Sequence, residues 1–261
     1  MIDIDISIIK KKIDPFKVFN VSFYRALIAI LTYYFLFNIF ARILLIIIYP
    51  LFDPNVGGFS SIINASYNMV IYVAIAIPLV ILYKNYLICD YKSIKDTDKY
   101  AKLLIICVIL MFVSNLVSSL LQNLIVSGVS QNEQNIQEIY QNKFAYVIMF
   151  PQVVLLAPLV EELIFRKSFF NLFKNKYLSL IISTLVFGFM HVTSTYSLLI
   201  KTYSIEKSMY LTFGYAIPYL VSGLFFGLIY IKSNRNIYTS ITCHLINNFF
   251  ASILSAIIIF I

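Results

Sequence analysis

Long apolar stretches separated by short polar ones run the whole length of the chain. They cover about residues 21–49, 62–83, 101–126, 144 to between 166 and 174, 177–200, 209–231 and 237–261. Each approaches or exceeds the roughly 20 residues that, at about 1.5 Å per residue, cross the hydrocarbon core of a bilayer. Strand-like alternation is absent, and lipid offers no partner to unpaired backbone groups, so the stretches are expected to be helices. The pattern therefore predicts an all-α, polytopic transmembrane bundle of about seven spans. Pro50 and Pro54 close the first span, and Pro151 and Pro158 predict a kink or break in the fourth. Gly223 and Gly227, four apart in the sixth, predict a close helix–helix approach. The Gln/Asn-rich stretch 127–142 reads as a surface loop. It divides the chain into a front scaffold, 1–143, and a back part, 144–261, that carries the chemistry.

Composition agrees: 61% of residues are hydrophobic and 12% charged, and the mean hydropathy is +0.87. A soluble domain of this make-up would aggregate. The net charge of +8 lies in several loops rather than one patch, which argues against a nucleic-acid partner. Assigned to loops, fifteen Lys and Arg fall on one side, against only Lys143, Lys201 and Lys207 on the other. Arg25 and Arg42 are left to snorkel from the first span. By the positive-inside rule the N-terminus is then cytoplasmic and the C-terminus is not. Residues 1–19 lack the apolar core and cleavage site of a signal peptide. Cys89, Cys107 and Cys243 stand at no metal-ligand spacing and read as packing residues.

Against this apolar background, residues 157–166, APLVEELIFR, are exceptional. A charge near mid-bilayer costs at least about 2.5 kcal/mol, so an intramembrane ionisable residue marks a functional site by default. Adjacent helical residues point about 100° apart, so Glu161 and Glu162 cannot face one point. Glu162 shares a face with Arg166, four residues on, and is expected to pair with it, leaving Glu161 free for another task. The two histidines of the chain, His191 and His244, also fall in apolar spans, and Asn248 lies one turn beyond His244. At about 1.5 Å per residue, His191 lies about 22 Å beyond Lys176 and His244 about 13 Å beyond Arg235. Glu161 lies about 20 Å from the end of its helix if that helix reaches Lys174, and about 8 Å if it stops at Arg166. Singly, each residue reads as an ion cluster or an interhelical hydrogen-bonder. Jointly, that reading requires every histidine and every intramembrane acid to be structural.

The run Glu161-Glu162-x3-Arg166, Phe187-x3-His191, His244-x3-Asn248 resembles the CPBP family of intramembrane proteases, which includes CAAX proteases and bacteriocin-processing or immunity (Abi) proteins. The resemblance covers about residues 144–261; the first three spans match only as generic membrane helices. It implies that Glu161 and His191 activate a water while His244 and Asn248 stabilise the oxyanion, with Glu162 and Arg166 in support. The chemistry is sound on its own terms, since a carboxylate and an imidazole sharing a water make a general-base system, and oxyanion donors stabilise the attacked carbonyl. Alternatively, Glu161, His191 and His244 number the three protein ligands of a catalytic Zn2+ site, although no HExxH is present.

The expected function is an intramembrane endopeptidase of the cell membrane, acting on a membrane-associated protein or peptide by CAAX-type or bacteriocin-type processing. Membrane lipid is its other partner. Two non-enzymatic readings compete: an immunity or partner-binding protein on the same scaffold, and a proton-coupled transporter. The second has less support, because no inverted repeat is evident and the front half lacks matching acids.

Overall fold

The computed structural model describes residues 21–52, 59–94 and 97–260, and it is all-helical, with no strand among them. The helices are α1 (Phe23–Leu51), α2 (Ser61–Ser93), α3 (Thr97–Asn123), α4 (Gln131–Tyr140), α5 (Lys143–Leu172), α6 (Lys176–Met190), α7 (Thr193–Leu199), α8 (Ile205–Lys232) and α9 (Ile237–Phe260). Helices α1, α2, α3, α5, α8 and α9 are long and apolar enough to cross a membrane. The pair α6 and α7, bent by 52° at its junction, makes a seventh span if counted as one. The molecule is a multi-pass membrane protein.

Three elements differ from the sequence expectation. The polar stretch 127–142 is largely helical. Ser130 Oγ accepts from Glu133 N at 3.3 Å to cap α4, Gln131 and Glu133 hydrogen-bond Asn135 and Gln137 one turn on, and Ile139 and Tyr140 are buried beside Ala65, Ala145 and Met149. Helix α2 continues past residue 83 to Ser93, because nothing breaks it and its late acid, Asp90, finds a buried partner. The fifth span is broken at His191 and Val192 instead of running straight through 177–200.

Helix α5 is the axis of the bundle. Residues 161–168 are all buried, four charged side chains among them. The kink expected at its prolines is a wide π turn at Gln152–Leu156, followed by a second at Leu163–Ser168, and the helix continues through both. The glycine pair of α8 packs against α6 as expected. A Cβ on Gly227 would strike Leu180, and one on Gly223 would come within 3.0 Å of Phe187. The three cysteines are free and buried, Cys107 and Cys243 in one apolar cluster.

At one end of the bundle Val21 N donates to Asn171 Oδ1 at 3.1 Å, and Asn236 Nδ2 donates to Asp90 O at 2.8 Å and to Ser93 Oγ at 2.9 Å. This is the end that the charge tally assigns to the cytoplasm. Two cations in that tally, Arg166 and Lys167, are not in a loop but buried inside α5. Residues 1–19, Pro54 and Lys95 lie outside the described residues.

Candidate active site

The two glutamates divide as their helical angle requires. Glu162 is fully buried, its Oε2 3.2 Å from Arg166 Nε and its Oε1 accepting from His244 Nδ1 at 2.9 Å. The Arg166 contact is an ion pair without hydrogen-bond alignment, and Arg166 Nη1 has no hydrogen-bond partner. Arg166 Nη2 instead donates to Gly223 O at 3.2 Å, and the guanidinium sits over the Phe187 ring at 5.5 Å. The glycine thus admits both α6 and an arginine. Without a Cβ on Gly223, Phe187 closes on the backbone whose carbonyl anchors Arg166.

Glu161 faces the histidines. Its Oε1 lies 3.8 Å from His191 Nε2 and its Oε2 3.7 Å from His244 Nε2. Three helices are needed for this: α5 carries the acid, the C-terminus of α6 carries His191, and α9 carries His244 two turns after its start. Both rings are held by their other nitrogen. His191 Nδ1 donates to Phe187 O at 2.8 Å and His244 Nδ1 to Glu162 Oε1. A carbonyl or carboxylate oxygen can only accept, so both Nδ1 atoms carry protons and both Nε2 atoms are the ones available to Glu161. Stacking fixes the ring planes further: Tyr219 lies 4.7 Å from His191 at 21°, and Phe226 lies 4.4 Å from His244 at 19°. The helix break at residues 191–192 puts His191 at the mouth of the site, where it keeps some exposure while His244 is buried.

Asn248 is one turn beyond His244, and its Nδ2 donates to Val153 O, in the first wide turn of α5, at 3.0 Å. One N–H of the amide is therefore committed and the second remains.

The front half reaches the site in ways the sequence did not reveal. Tyr33 of α1 donates to Met190 Sδ at 3.3 Å, beside His191. At the other side of His191, Tyr219 Oη pairs with Ser130 Oγ at 2.8 Å and Gln131 N donates to Thr195 Oγ1 at 2.9 Å, so α4 is tied over the broken span. Nothing in the sequence separates these tyrosines from the rest of the chain's twenty; Ser130-x-x-Glu133, by contrast, has the spacing of a helix N-terminus and could have found α4.

The metal expectation is tested by spacing. A tetrahedral ion with bonds of about 2.0–2.1 Å holds neighbouring ligand atoms about 3.4 Å apart. Glu161 stands wider than that from both imidazoles, and among the described residues no group of three or more His, Cys, Asp or Glu side chains is set to hold a metal ion. The arrangement as it stands does not fit zinc.

Residues 143–250 match the family described as Type II CAAX prenyl endopeptidase Rce1-like. This segment is similar to that Rce1-like family. It contains Glu161, Glu162, Arg166, His191, His244 and Asn248, and the Rce1-like segment begins with α5. An uncharacterized protein of Mycoplasma capricolum subsp. capricolum is 30% identical over 185 residues, 66% of this chain and 50% of that protein. UPF0177 protein YbdI of Lactococcus lactis subsp. lactis is 41% identical over 54 residues, 21% of this chain and 28% of that protein. The chain thus spans half or less of each relative's length. No solved structure matches it.

Proposed function

We propose that the protein is an intramembrane endopeptidase of the cell membrane that hydrolyses a peptide bond in a membrane-associated peptide or protein, in the manner of CAAX-type processing. The observation that carries this reading is the Glu161 carboxylate flanked on its two oxygens by the Nε2 atoms of His191 and His244. The Rce1-like match over the same residues supports it. Residues 144–261 carry the chemistry in this reading, and 1–143 support it.

Glu161 and His191 bind one water, and Glu161 takes a proton from it as the water oxygen attacks the peptide carbonyl carbon. The carbonyl oxygen gains the negative charge. His244, when Nε2 is protonated, and the second N–H of Asn248 donate to that oxyanion. Collapse of the tetrahedral intermediate breaks the C–N bond, and the proton held by Glu161 passes to the leaving nitrogen. The products are a carboxylic acid and an amine, and every atom of the water is accounted for. Glu162 and Arg166 stay out of the reaction: Glu162 holds His244 through Nδ1, and Arg166 balances Glu162.

The test is cleavage of an internally quenched peptide library, prenylated and unprenylated, by the purified protein in detergent. The reading predicts cleavage by the wild type and none by Glu161→Gln. A wild type that cuts no peptide under these conditions contradicts it.

A further inference from the structure

Three asparagines form a directed chain of amide hydrogen bonds between helices. Asn115 of α3 donates from Nδ2 to Asn247 Oδ1 at 2.7 Å, Asn247 Nδ2 donates to Asn248 Oδ1 at 3.2 Å, and Asn248 Nδ2 donates to Val153 O at 3.0 Å. The last acceptor sets the direction of all three. A backbone carbonyl has no hydrogen to give, so the Asn248 amide must turn its nitrogen toward Val153; its oxygen then faces Asn247, which in turn must present its own nitrogen there and its oxygen to Asn115.

Asn115 lies outside the Rce1-like segment, on an apolar span that is mostly unburied within the bundle. An amide in such a span is costly unless it is paired. Its helix is stitched locally by Ser118 Oγ, which donates to Asn115 O at 2.9 Å, and Asn115 reaches across to α9 rather than along α3.

We propose that Asn115 is a positioning residue for Asn248. Acting through Asn247, it reinforces the orientation that Val153 O sets for the Asn248 amide, the one that leaves an N–H for the reacting carbonyl oxygen. The proposal rests on the proteolytic reading of the site and adds to it a member from the front half. Two effects work together. Occupation of Asn248 Oδ1 by the Asn247 donor adds to the bias of Val153 O against the flipped rotamer. A donated hydrogen bond at that oxygen also polarises the amide, which strengthens its remaining N–H.

The experiment is a double-mutant cycle in kcat and KM, using the library peptide that the wild type cuts fastest. Asn115→Leu is expected to lower kcat about tenfold, the order for loss of one well-placed hydrogen bond, with KM within about twofold. In an Asn248→Ala background, Asn115→Leu should change kcat by less than about twofold, because the residue it acts through is gone. The same tenfold loss in both backgrounds, or a change confined to KM, overturns the proposal and leaves the proteolytic reading standing. Wild-type kcat in Asn248→Ala overturns both the donor role of Asn248 and the proposal. Asn247→Asp gives a second route that does not depend on how Asn115→Leu folds: the carboxylate still accepts from Asn115 but cannot donate to Asn248, so its kcat should fall at least as far as that of Asn115→Leu. An Asn247→Asp protein with wild-type kcat overturns the proposal.

Discussion

Two acids buried in this bundle are partnered in opposite ways. Asp90 is closed: its Oδ2 takes both the Lys167 ammonium and the Ile237 N–H, and its backbone oxygen takes Asn236. Glu161 is open: its oxygens stand 3.7 and 3.8 Å from two imidazole nitrogens, too far for direct hydrogen bonds and close enough to share a small molecule with them. Both acids face α5 or lie on it. One ties the end of α2 to α5 and caps the start of α9, the helix that carries His244. The other is held by that framework without being neutralised by it. A buried charge whose valences are filled is a clamp, and one left short is where a substrate or water is bound.

Breaking the clamp should give the largest change in stability. Asp90→Ala strands a buried ammonium, and about 3–5 kcal/mol should be lost, measured by denaturant or thermal unfolding in detergent. Turnover per folded molecule should stay within severalfold. Breaking the open site should do the reverse. His244→Ala is expected to slow cleavage by about a hundredfold to a thousandfold, or about 2.7–4 kcal/mol of transition-state stabilisation, with KM nearly unchanged. The comparison sharpens when the clamp is replaced instead of broken. The double substitution Asp90→Leu with Lys167→Met should leave stability within about 1 kcal/mol of wild type or above it, since neither charge is left alone, although the Ile237 N–H loses its acceptor. The smallest effect is expected from metal removal: a chelator should change the wild-type rate by less than about twofold, as the spacing around Glu161 is not that of a zinc site. Reversible loss of activity with chelator would show that the three side chains close onto an ion.

The open site was far more legible in the sequence than the clamp. Charge in a long apolar run is visible without any knowledge of contacts, and the i, i+4 spacing of Glu162 and Arg166 states their pairing directly. His191 and His244 announced themselves for the same reason. Asp90 and Lys167 did not. Each sits near the end of an apolar run, where a charge normally means a loop, and only their contact across 77 positions reveals them as interior residues. The bend at His191 carries no Pro to signal it, its nearest glycine, Gly188, lying buried inside α6, and α4 is polar enough to pass for a loop until its Ser130 cap is noticed. Tyr33 and Asn115 were invisible in principle, because their contacts depend on how two helices are rotated against each other, which an apolar pattern all round a span does not encode.

The central claim is that Glu161, the open acid, is the base, and it is tested most directly by Glu161→Gln. The side chain keeps its size and loses only its charge and its ability to take a proton. Purified in detergent, this variant should match the wild type in helix content and unfolding midpoint to within a few degrees, and a single-turnover assay on the fastest-cut peptide should detect no product. Cleavage at the wild-type rate by a folded Glu161→Gln protein would contradict the account.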